Sequence, residues 1–228
     1  LESFGIEVHR NIGKTGIVGI LQRGNGPGSI AFRADMDALP ITETGTPEWV
    51  SVHDGAMHAC GHDGHTAMLL GAACHLAAKG DFNGRIVFIF QPNEEHGQGA
   101  RAMIDDGLFQ RFPADAVFAM HNIPGMKAGS FATRAGPMTA SESLFELSVT
   151  ARGGHAALPH MGVDAILVGA QLVTALQSIV SRKLDPARNG VVSITEFITD
   201  GSSDVLPSSA RLKGDDRALS DDTNHAIE

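Results

Sequence analysis

Short apolar runs rich in β-branched residues alternate with helical stretches over the first part of the chain. Runs typical of strands lie at residues 16–21, 29–34, 85–90 and 115–120. Residues 66–79 are rich in Ala, Leu and Met and stop at Gly80, which predicts a helix with a C-terminal glycine. A shorter helix is predicted at 100–106. Strands that alternate with helices are typical of an α/β domain with a mainly parallel sheet, which we expect over residues 1–138.

The pattern changes near residue 140. The predicted elements are then a strand at 142–151, a helix at 163–182, strands at 190–197 and 209–214, and a helix from Asp221 or Asp222. This β-α-β-β-α order lacks the final strand of a ferredoxin-like unit. We therefore expect residues 139–228 to form an incomplete second domain, in a chain that is truncated at both ends.

Composition and charge exclude several classes of protein. The formal net charge is −9 and no cluster of Lys and Arg occurs, which argues against a nucleic-acid-binding surface. No run of 18 or more apolar residues is present and the first residues do not resemble a signal peptide, so no membrane partner is expected. Two cysteines, Cys60 and Cys74, are too few for a disulfide framework and favour a cytoplasmic location.

Three of the four strands predicted in the first domain run into side chains that suit a metal ion. These side chains are Asp35 and Asp37, Glu94 and Glu95, and His121. In open α/β sheets the ligand crevice lies at the carboxyl ends of the strands, so separate parts of the sequence should meet there. The pattern predicts a site at this edge of the sheet.

A fourth contribution comes from the stretch before the helix predicted at 66–79. It contains His58, Cys60, His62 and His65. A lone cysteine is usually a small buried residue, but three histidines and one cysteine within eight residues indicate metal binding. Thiolate, imidazole and carboxylate ligands together suit Zn, Mn, Co or Ni.

The adjacent carboxylates Glu94 and Glu95 suggest two roles. At a strand end their side chains point in different directions, so one can bind a metal while the other acts as a general base. The alternative is an acidic loop exposed to solvent. Because the pair follows a buried apolar strand and is flanked by Gly97 and Gly99, we prefer the interpretation that it lines a cleft.

Several motifs, in the same order along the chain, resemble the hippurate hydrolase and indole-acetyl-amino acid amidohydrolase family. They are Arg-Ala-Asp-Met-Asp-Ala-Leu-Pro at 33–40, the stretch 57–66, Phe-Gln-Pro followed by Glu-Glu at 90–95, His-Asn at 121–122 and Gly-Gly-His-Ala-Ala with Pro-His at 153–160. The resemblance implies a metallopeptidase catalytic domain with an inserted ferredoxin-like (β-α-β-β-α-β) lid domain. It also implies two divalent metal ions between these domains and a homodimer formed through the lid.

The resemblance assigns roles to individual residues. Cys60, His62, Glu95 and His121 match metal ligands of the family, and Glu94 matches the general base that activates water for attack on an amide carbonyl. Asp35 and Asp37 are expected to orient the site rather than bind metal, because relatives with a thiolate ligand do not use these positions as ligands.

Two residues of the second domain also match positions with a role in the family. His155 matches a lid histidine that reaches the oxyanion in the partner subunit's site, although residues 153–155 alone are also compatible with a tight turn. Arg217 lies where relatives often have an arginine that meets the substrate carboxylate. The sequence departs from the family at Asp204, where an Asn is usual, and the family's last metal-ligand histidine corresponds to a position beyond Glu228.

The function implied by this resemblance is hydrolysis of an N-acyl amino acid, of acetyl, benzoyl or indole-acetyl type, to an acid and a free amino acid. One alternative is a dipeptidase or aminopeptidase with the same metal pair, since the chemistry at the carbonyl is unchanged. Another is an inactive, truncated homologue that acts only as a dimerising module.

Overall fold

The computed structural model describes all residues, 1–228, and the chain divides into two compact units, Leu1–Ala128 and Gly129–Glu228. Residues 120–140 contain no helix or strand. The domain boundary predicted at residue 138 lies within this irregular segment, whereas the division between the compact units comes after Ala128.

The first unit is a five-stranded sheet with helices. Its elements are β1 (Glu7–Ile12), β2 (Gly16–Arg23), β3 (Ser29–Asp35), α1 (His62–Lys79), β4 (Gly84–Gln91), α2 (Gly99–Asp105), α3 (Leu108–Arg111) and β5 (Ala116–Ala119). The strand order is β1-β2-β4-β3-β5. Strands β4, β3 and β5 run parallel, while β1 pairs antiparallel with β2, and β2 pairs antiparallel with β4.

The expectation of a mainly parallel sheet therefore needs correction, because two of the four strand pairings are antiparallel. The cause at the outer edge is the tight turn between β1 and β2, which contains Gly13 at φ 60° and Lys14 at φ 81°. A parallel pair needs a long crossover, so strands joined by so short a turn are antiparallel. Strand β1 is not predicted from the sequence because Ile12 is its only buried residue.

Strand β4 lies at the centre of the core. Its side chains alternate between two apolar clusters, as the period of a strand requires. Phe88 packs on one face with Leu69 of α1, and Val87 packs on the other face with Met103 of α2. Because Phe88 is fully buried, its truncation to Ala would cost about 3–5 kcal/mol of stability. The carboxyl end of β4 is thus anchored from both sides.

The second unit is a three-stranded antiparallel sheet with two helices. Its elements are β6 (Ser141–Thr150), β7 (Gly154–His155), α4 (Ala165–Ser178), β8 (Gly190–Thr199), β9 (Val205–Leu206), β10 (Ser209–Ala218) and α5 (Asp221–Ile227). The sheet order is β6-β10-β8, and β7 pairs with β9 in a separate short ribbon. The main elements follow the predicted β-α-β-β-α order, with the last strand between the other two.

Helix α4 begins at a well-defined cap and continues into a wider turn at Ile179–Lys183. The Asp164 carboxylate accepts hydrogen bonds from the backbone N–H groups of Ile166 and Leu167. By length and composition alone, Ala165–Lys183 could cross a membrane, but a helix that packs on the sheet of a soluble protein passes the same test. The absence of a membrane partner stays a prediction.

Candidate metal centre

The predicted metal-binding side chains of the first unit meet at the carboxyl ends of β3, β4 and β5. These are the mutually parallel strands, so their ends lie at one edge of the sheet. Helix α1 begins at the same place with His62, directly after Gly61, which has φ 82°. The His62 side chain is only 1% exposed.

Carboxylates surround the inner nitrogen of His62. Its Nε2 atom lies 3.7 Å from Asp35 Oδ2, 3.7 Å from Glu94 Oε2 and 3.7 Å from Glu95 Oε1. His62 also shares a compact set of donor atoms with Cys60 and His121, whose Sγ and Nε2 atoms are 3.4 Å apart. We therefore take His62 as the centre of one cluster of donor atoms.

Backbone carbonyl groups orient two imidazoles in the cluster. His62 Nδ1 lies 3.0 Å from the carbonyl oxygen of Asp37, and His121 Nδ1 lies 2.7 Å from the carbonyl oxygen of Asn122. Because a carbonyl oxygen only accepts hydrogen bonds, the proton of each neutral ring belongs on Nδ1. The Nε2 lone pairs then point into the cluster, which is the orientation that metal-binding histidines usually have.

Unpaired buried atoms in the cluster fit a metal ion. His62 Nε2 and Glu95 Oε1 are both buried and have no hydrogen-bond partner. Leaving such groups without a partner is costly. Their 3.7 Å separation is close to the roughly 3.5 Å between neighbouring ligands of a tetrahedral zinc ion. A cation bound by both atoms would satisfy them, so this donor set fits a divalent metal.

The two glutamates in the loop after β4, Glu94 and Glu95, differ in how deeply their side chains are buried. Asn93 has φ 51°, and Gly99 lies so close to the Pro92 carbonyl that no side chain fits there. The Glu95 side chain is 18% exposed and that of Glu94 is 39% exposed. Glu95 therefore suits a buried ligand, whereas Glu94 remains accessible to solvent.

Asp37 holds the same loop from the opposite side. Its Oδ2 atom accepts a 3.1 Å hydrogen bond from the backbone N–H of Glu95. Burial alone would raise the pKa of Asp37, but hydrogen bonds from the backbone of Glu94 and Glu95 hold this pKa below its usual value. Asp37 is thus ionised and orients both His62 and the glutamate loop.

The electrostatics of Cys60 are those of a ligand that needs a cation. Burial raises the pKa of the Cys60 thiol, and the charges of Glu95, Glu94 and Asp35 raise it further. A divalent ion reverses this balance because a coordinating thiol is deprotonated. The concentration of carboxylates around Cys60 therefore agrees with a cation site.

The other two predicted site residues belong to the second unit. His155 is exposed on β7, and its Nδ1 atom accepts a 3.1 Å hydrogen bond from the Ala157 N–H, so the ring proton lies on Nε2. Arg217 on β10 is bound to Asp215, with 2.6 Å between Nε and Oδ2, and to Glu142. These contacts with carboxylates raise the pKa of the Arg217 guanidinium.

The sequence interpretation did not single out a role for His65. This residue is 2% exposed and hydrogen-bonds Asp35 and Asn122. The signal in the sequence is its position three residues after His62, since such residues share one face of a helix.

The family model for peptidase family M20/M25/M40 matches residues 31–212. The chain belongs to this family. The match covers the cluster and most of the second unit, and it confirms the resemblance found from the motifs. Members of this family that resemble the chain are named hydrolases.

Three similar M20-family proteins are informative. Hippurate hydrolase from Campylobacter jejuni is 45% identical over 228 residues, which is 100% of this chain and 59% of that protein. Thermostable carboxypeptidase 2 from Saccharolobus solfataricus is 42% identical over 224 residues, or 96% of this chain and 56% of that protein. A crystal structure of a dinuclear metal-binding M20 peptidase from Bacillus subtilis has a TM-score of 0.73 at 35% identity and covers 100% of this chain and 58% of its own. The chain thus spans less than two thirds of each.

Proposed function

We propose that the full-length protein is a metal-dependent amidohydrolase that cleaves N-acyl amino acids such as hippurate. The observation that supports this most is the pair of unpaired buried atoms, His62 Nε2 and Glu95 Oε1, at the centre of the cluster. The 45% identity with hippurate hydrolase indicates the substrate class. The similar dinuclear peptidase supports two divalent metals, of which Mn, Zn, Co and Ni all suit the donors.

In this proposal Cys60, His62, Glu95 and His121 hold the metal ions. Bound divalent metals would lower the pKa of water and polarise the amide carbonyl. Glu94, the more exposed of the two glutamates, takes the proton from the attacking water and delivers it to the departing amine. The Glu94 carboxylate faces the cluster, because its Oε2 atom lies 3.7 Å from His62 Nε2.

We assign His155 a role in stabilising the oxyanion. Because its Nδ1 atom accepts the Ala157 N–H, its Nε2–H group is left to donate a hydrogen bond to a developing negative charge. The family resemblance implies that this donor acts in the partner subunit's site, in a homodimer formed through the second unit as a lid. Asp204 lies beside His155, since the Asp204 carbonyl oxygen accepts a hydrogen bond from the Ala156 N–H.

Arg217 is proposed to bind the carboxylate of the amino acid product or substrate. Its planar guanidinium suits a carboxylate, and its side chain is half exposed. In the structure the Arg217 guanidinium already donates hydrogen bonds to the carboxylates of Glu142 and Asp215. A substrate carboxylate would therefore replace the contact with Glu142, which is the more exposed of the two partners.

A peptidase is the second candidate. The 42% identity with a thermostable carboxypeptidase favours it, because a peptide bond and an N-acyl amide differ only outside the reacting carbonyl. For either reaction we propose a cytoplasmic enzyme, which is supported by two cysteines that are both free.

A substrate panel separates these candidates. The full-length protein, supplied with Mn or Zn, would be tested for release of free amino acid from N-acetyl, N-benzoyl and indole-acetyl amino acids and from dipeptides. We expect turnover of at least one acylated amino acid that disappears on chelation. Turnover of dipeptides alone would favour the peptidase, and a protein that binds metal but cleaves nothing in the panel would contradict the proposed reaction.

A further inference from the structure

A chain of hydrogen bonds runs behind the metal ligands. Arg33 donates through Nε to Gln91 Oε1 at 2.8 Å and through a terminal nitrogen to Asp35 Oδ2 at 2.8 Å. Asp35 Oδ1 lies 2.6 Å from His65 Nδ1, and His65 Nε2 lies 3.0 Å from the backbone nitrogen of Asn122. The carboxylate only accepts, so His65 donates its Nδ1 proton to Asp35.

His65 is surrounded by proposed ligands but is not available as one. Its ring centroid lies 5.4 Å from that of His62 and 4.6 Å from that of His121. However, Asp35 occupies its Nδ1 atom, and its Nε2 lone pair accepts a 3.0 Å hydrogen bond from the backbone N–H of Asn122. With both nitrogens engaged, no lone pair remains for a metal ion.

Asn122 connects the two segments that carry ligands. It directly follows His121, and its side-chain amide lies against Gly61, the residue between Cys60 and His62. A Cβ atom added to Gly61 would lie 2.4 Å from the Asn122 amide nitrogen, which leaves no space for a side chain. The contact between Asn122 and Gly61 therefore sets the distance between the Cys60–His62 segment and His121.

We propose that His65 is a positioning residue that holds Asn122 against Gly61 and so arranges Cys60, His62 and His121 before a metal ion binds. The role rests on the ligand set of the proposed function. Asp35 is buried and is held by Arg33, so it fixes the His65 ring, and the ring fixes Asn122 through its backbone N–H. Groups that orient ligands in this way typically change metal affinity by about 10-fold to 100-fold.

The test is metal binding by the full-length, metal-free protein, measured by titration with Zn(II) and by the visible spectrum of the Co(II) form. His65→Leu removes both hydrogen bonds, and His65→Gln keeps a polar group that can meet Asn122. His75→Leu is the matched control, because His75 is exposed on the same helix. We expect His65→Leu to weaken Zn(II) binding at least about 10-fold and to alter the Co(II) spectrum, with partial rescue in His65→Gln.

A second variant keeps the test decisive if His65→Leu does not fold. Asn122→Ala leaves the backbone N–H in place but removes the amide that rests on Gly61, and it should weaken Zn(II) binding in the same direction. Combined with His65→Gln, its effect should be less than the product of the two single effects, because both act through one contact.

The results distinguish failure of the proposed function from failure of the positioning role of His65. A wild-type protein that binds no stoichiometric metal would overturn the proposed function as well as this role of His65. A wild-type protein that binds metal tightly, with His65→Gln and Asn122→Ala binding as well as His75→Leu does, would overturn the positioning role alone.

Discussion

The two units hold their candidate functional side chains in different ways. In the first unit His62, His65 and Asp35 are each 1–2% exposed and are fixed by hydrogen bonds that join α1 to the ends of β3 and β5. In the second unit His155 and Arg217 are exposed, and their contacts come from neighbours on the same short ribbon or strand surface. One site is formed by the core, and the other two positions lie on a surface.

This difference agrees with the separate roles proposed for the two groups of residues. Buried donor atoms with fixed orientation suit a metal ion, because the protein has already met the cost of arranging them. Exposed groups such as His155 and Arg217 remain accessible to another molecule, although each already has contacts within the second unit. We therefore expect substitutions in the first unit to act on metal binding and proton transfer, and those in the second on oxyanion stabilisation at His155 and substrate binding at Arg217.

The largest effect is expected at Glu94. In the full-length protein Glu94→Ala should lower kcat about 10²-fold to 10⁴-fold while metal stays bound, because it removes the proton acceptor but no ligand. Steady-state kinetics with metal analysis by mass spectrometry would measure both. Glu48→Ala is the control, since Glu48 is exposed in the same unit and outside the cluster. Retention of most activity would exclude Glu94 as the base.

A smaller effect is expected when the proposed thiolate ligand, Cys60, is replaced. Cys60→Ser should weaken metal binding at least about tenfold, because it replaces a thiolate ligand with a hydroxyl group. Cys74→Ser serves as the matched control, because Cys74 is exposed on helix α1 and belongs to no donor cluster. Competition titration with a chelator measures the affinity, and equal affinities of the two variants would rule out Cys60 as a ligand.

Arg217 tests the role of the second unit. Arg217→Ala should raise KM for a substrate that carries a carboxylate by roughly tenfold and leave kcat nearly unchanged, since it removes a charged hydrogen bond that is made in the ground state as well. Arg211→Ala is the control, because Arg211 is an exposed, ion-paired arginine on the same strand. A lower kcat with unchanged KM would remove Arg217 from substrate binding.

The smallest effect concerns stability. Asp216 is 4% exposed and its Oδ1 atom has no partner, and burial together with the charges of Glu228 and Asp215 raises its pKa. Between pH 3.8 and this raised pKa the folded state binds more protons than the unfolded state, so the contribution of Asp216 to stability falls as pH rises.

Asp216→Asn removes the free-energy cost of ionising this buried carboxylate. We expect the variant to be more stable than wild type by about 1 kcal/mol at pH 7.5, with the difference vanishing near pH 3.5. Urea unfolding of both proteins at the two pH values measures it. A variant that is less stable than wild type at pH 7.5 would show that the ionised carboxylate has a partner in the full-length protein.

Much of the fold and the metal cluster could be predicted from local patterns. The runs of β4 and the spacing of α1 and α4 are strong signals, and the convergence of Asp35, Glu95 and His121 follows from parallel strands. Strand β1 was missed because it buries almost no side chain and so shows no apolar alternation. Its antiparallel pairing depends on a turn whose positive φ angles fall partly on a lysine, Lys14.

The hydrogen-bond partners within the site could not be predicted from the sequence. Asp37 and Glu95 are far apart in the chain, and only the structure shows that the carboxylate of the first holds the backbone of the second. Likewise, only the structure shows that the Asn122 side-chain amide packs against Gly61. Such contacts depend on tertiary packing, for which residue spacing carries no signal.

We propose that the His62 cluster holds metal ions that the protein needs to cleave an N-acyl amino acid. The most direct measurement is release of glycine from N-benzoylglycine by the full-length protein as purified, after complete metal removal, and after return of Mn or Zn. We predict that the protein as purified releases glycine, that the metal-free protein does not, and that added Mn or Zn restores the activity. The bound metal is measured at each stage. Unchanged hydrolysis by the metal-free protein would contradict the account.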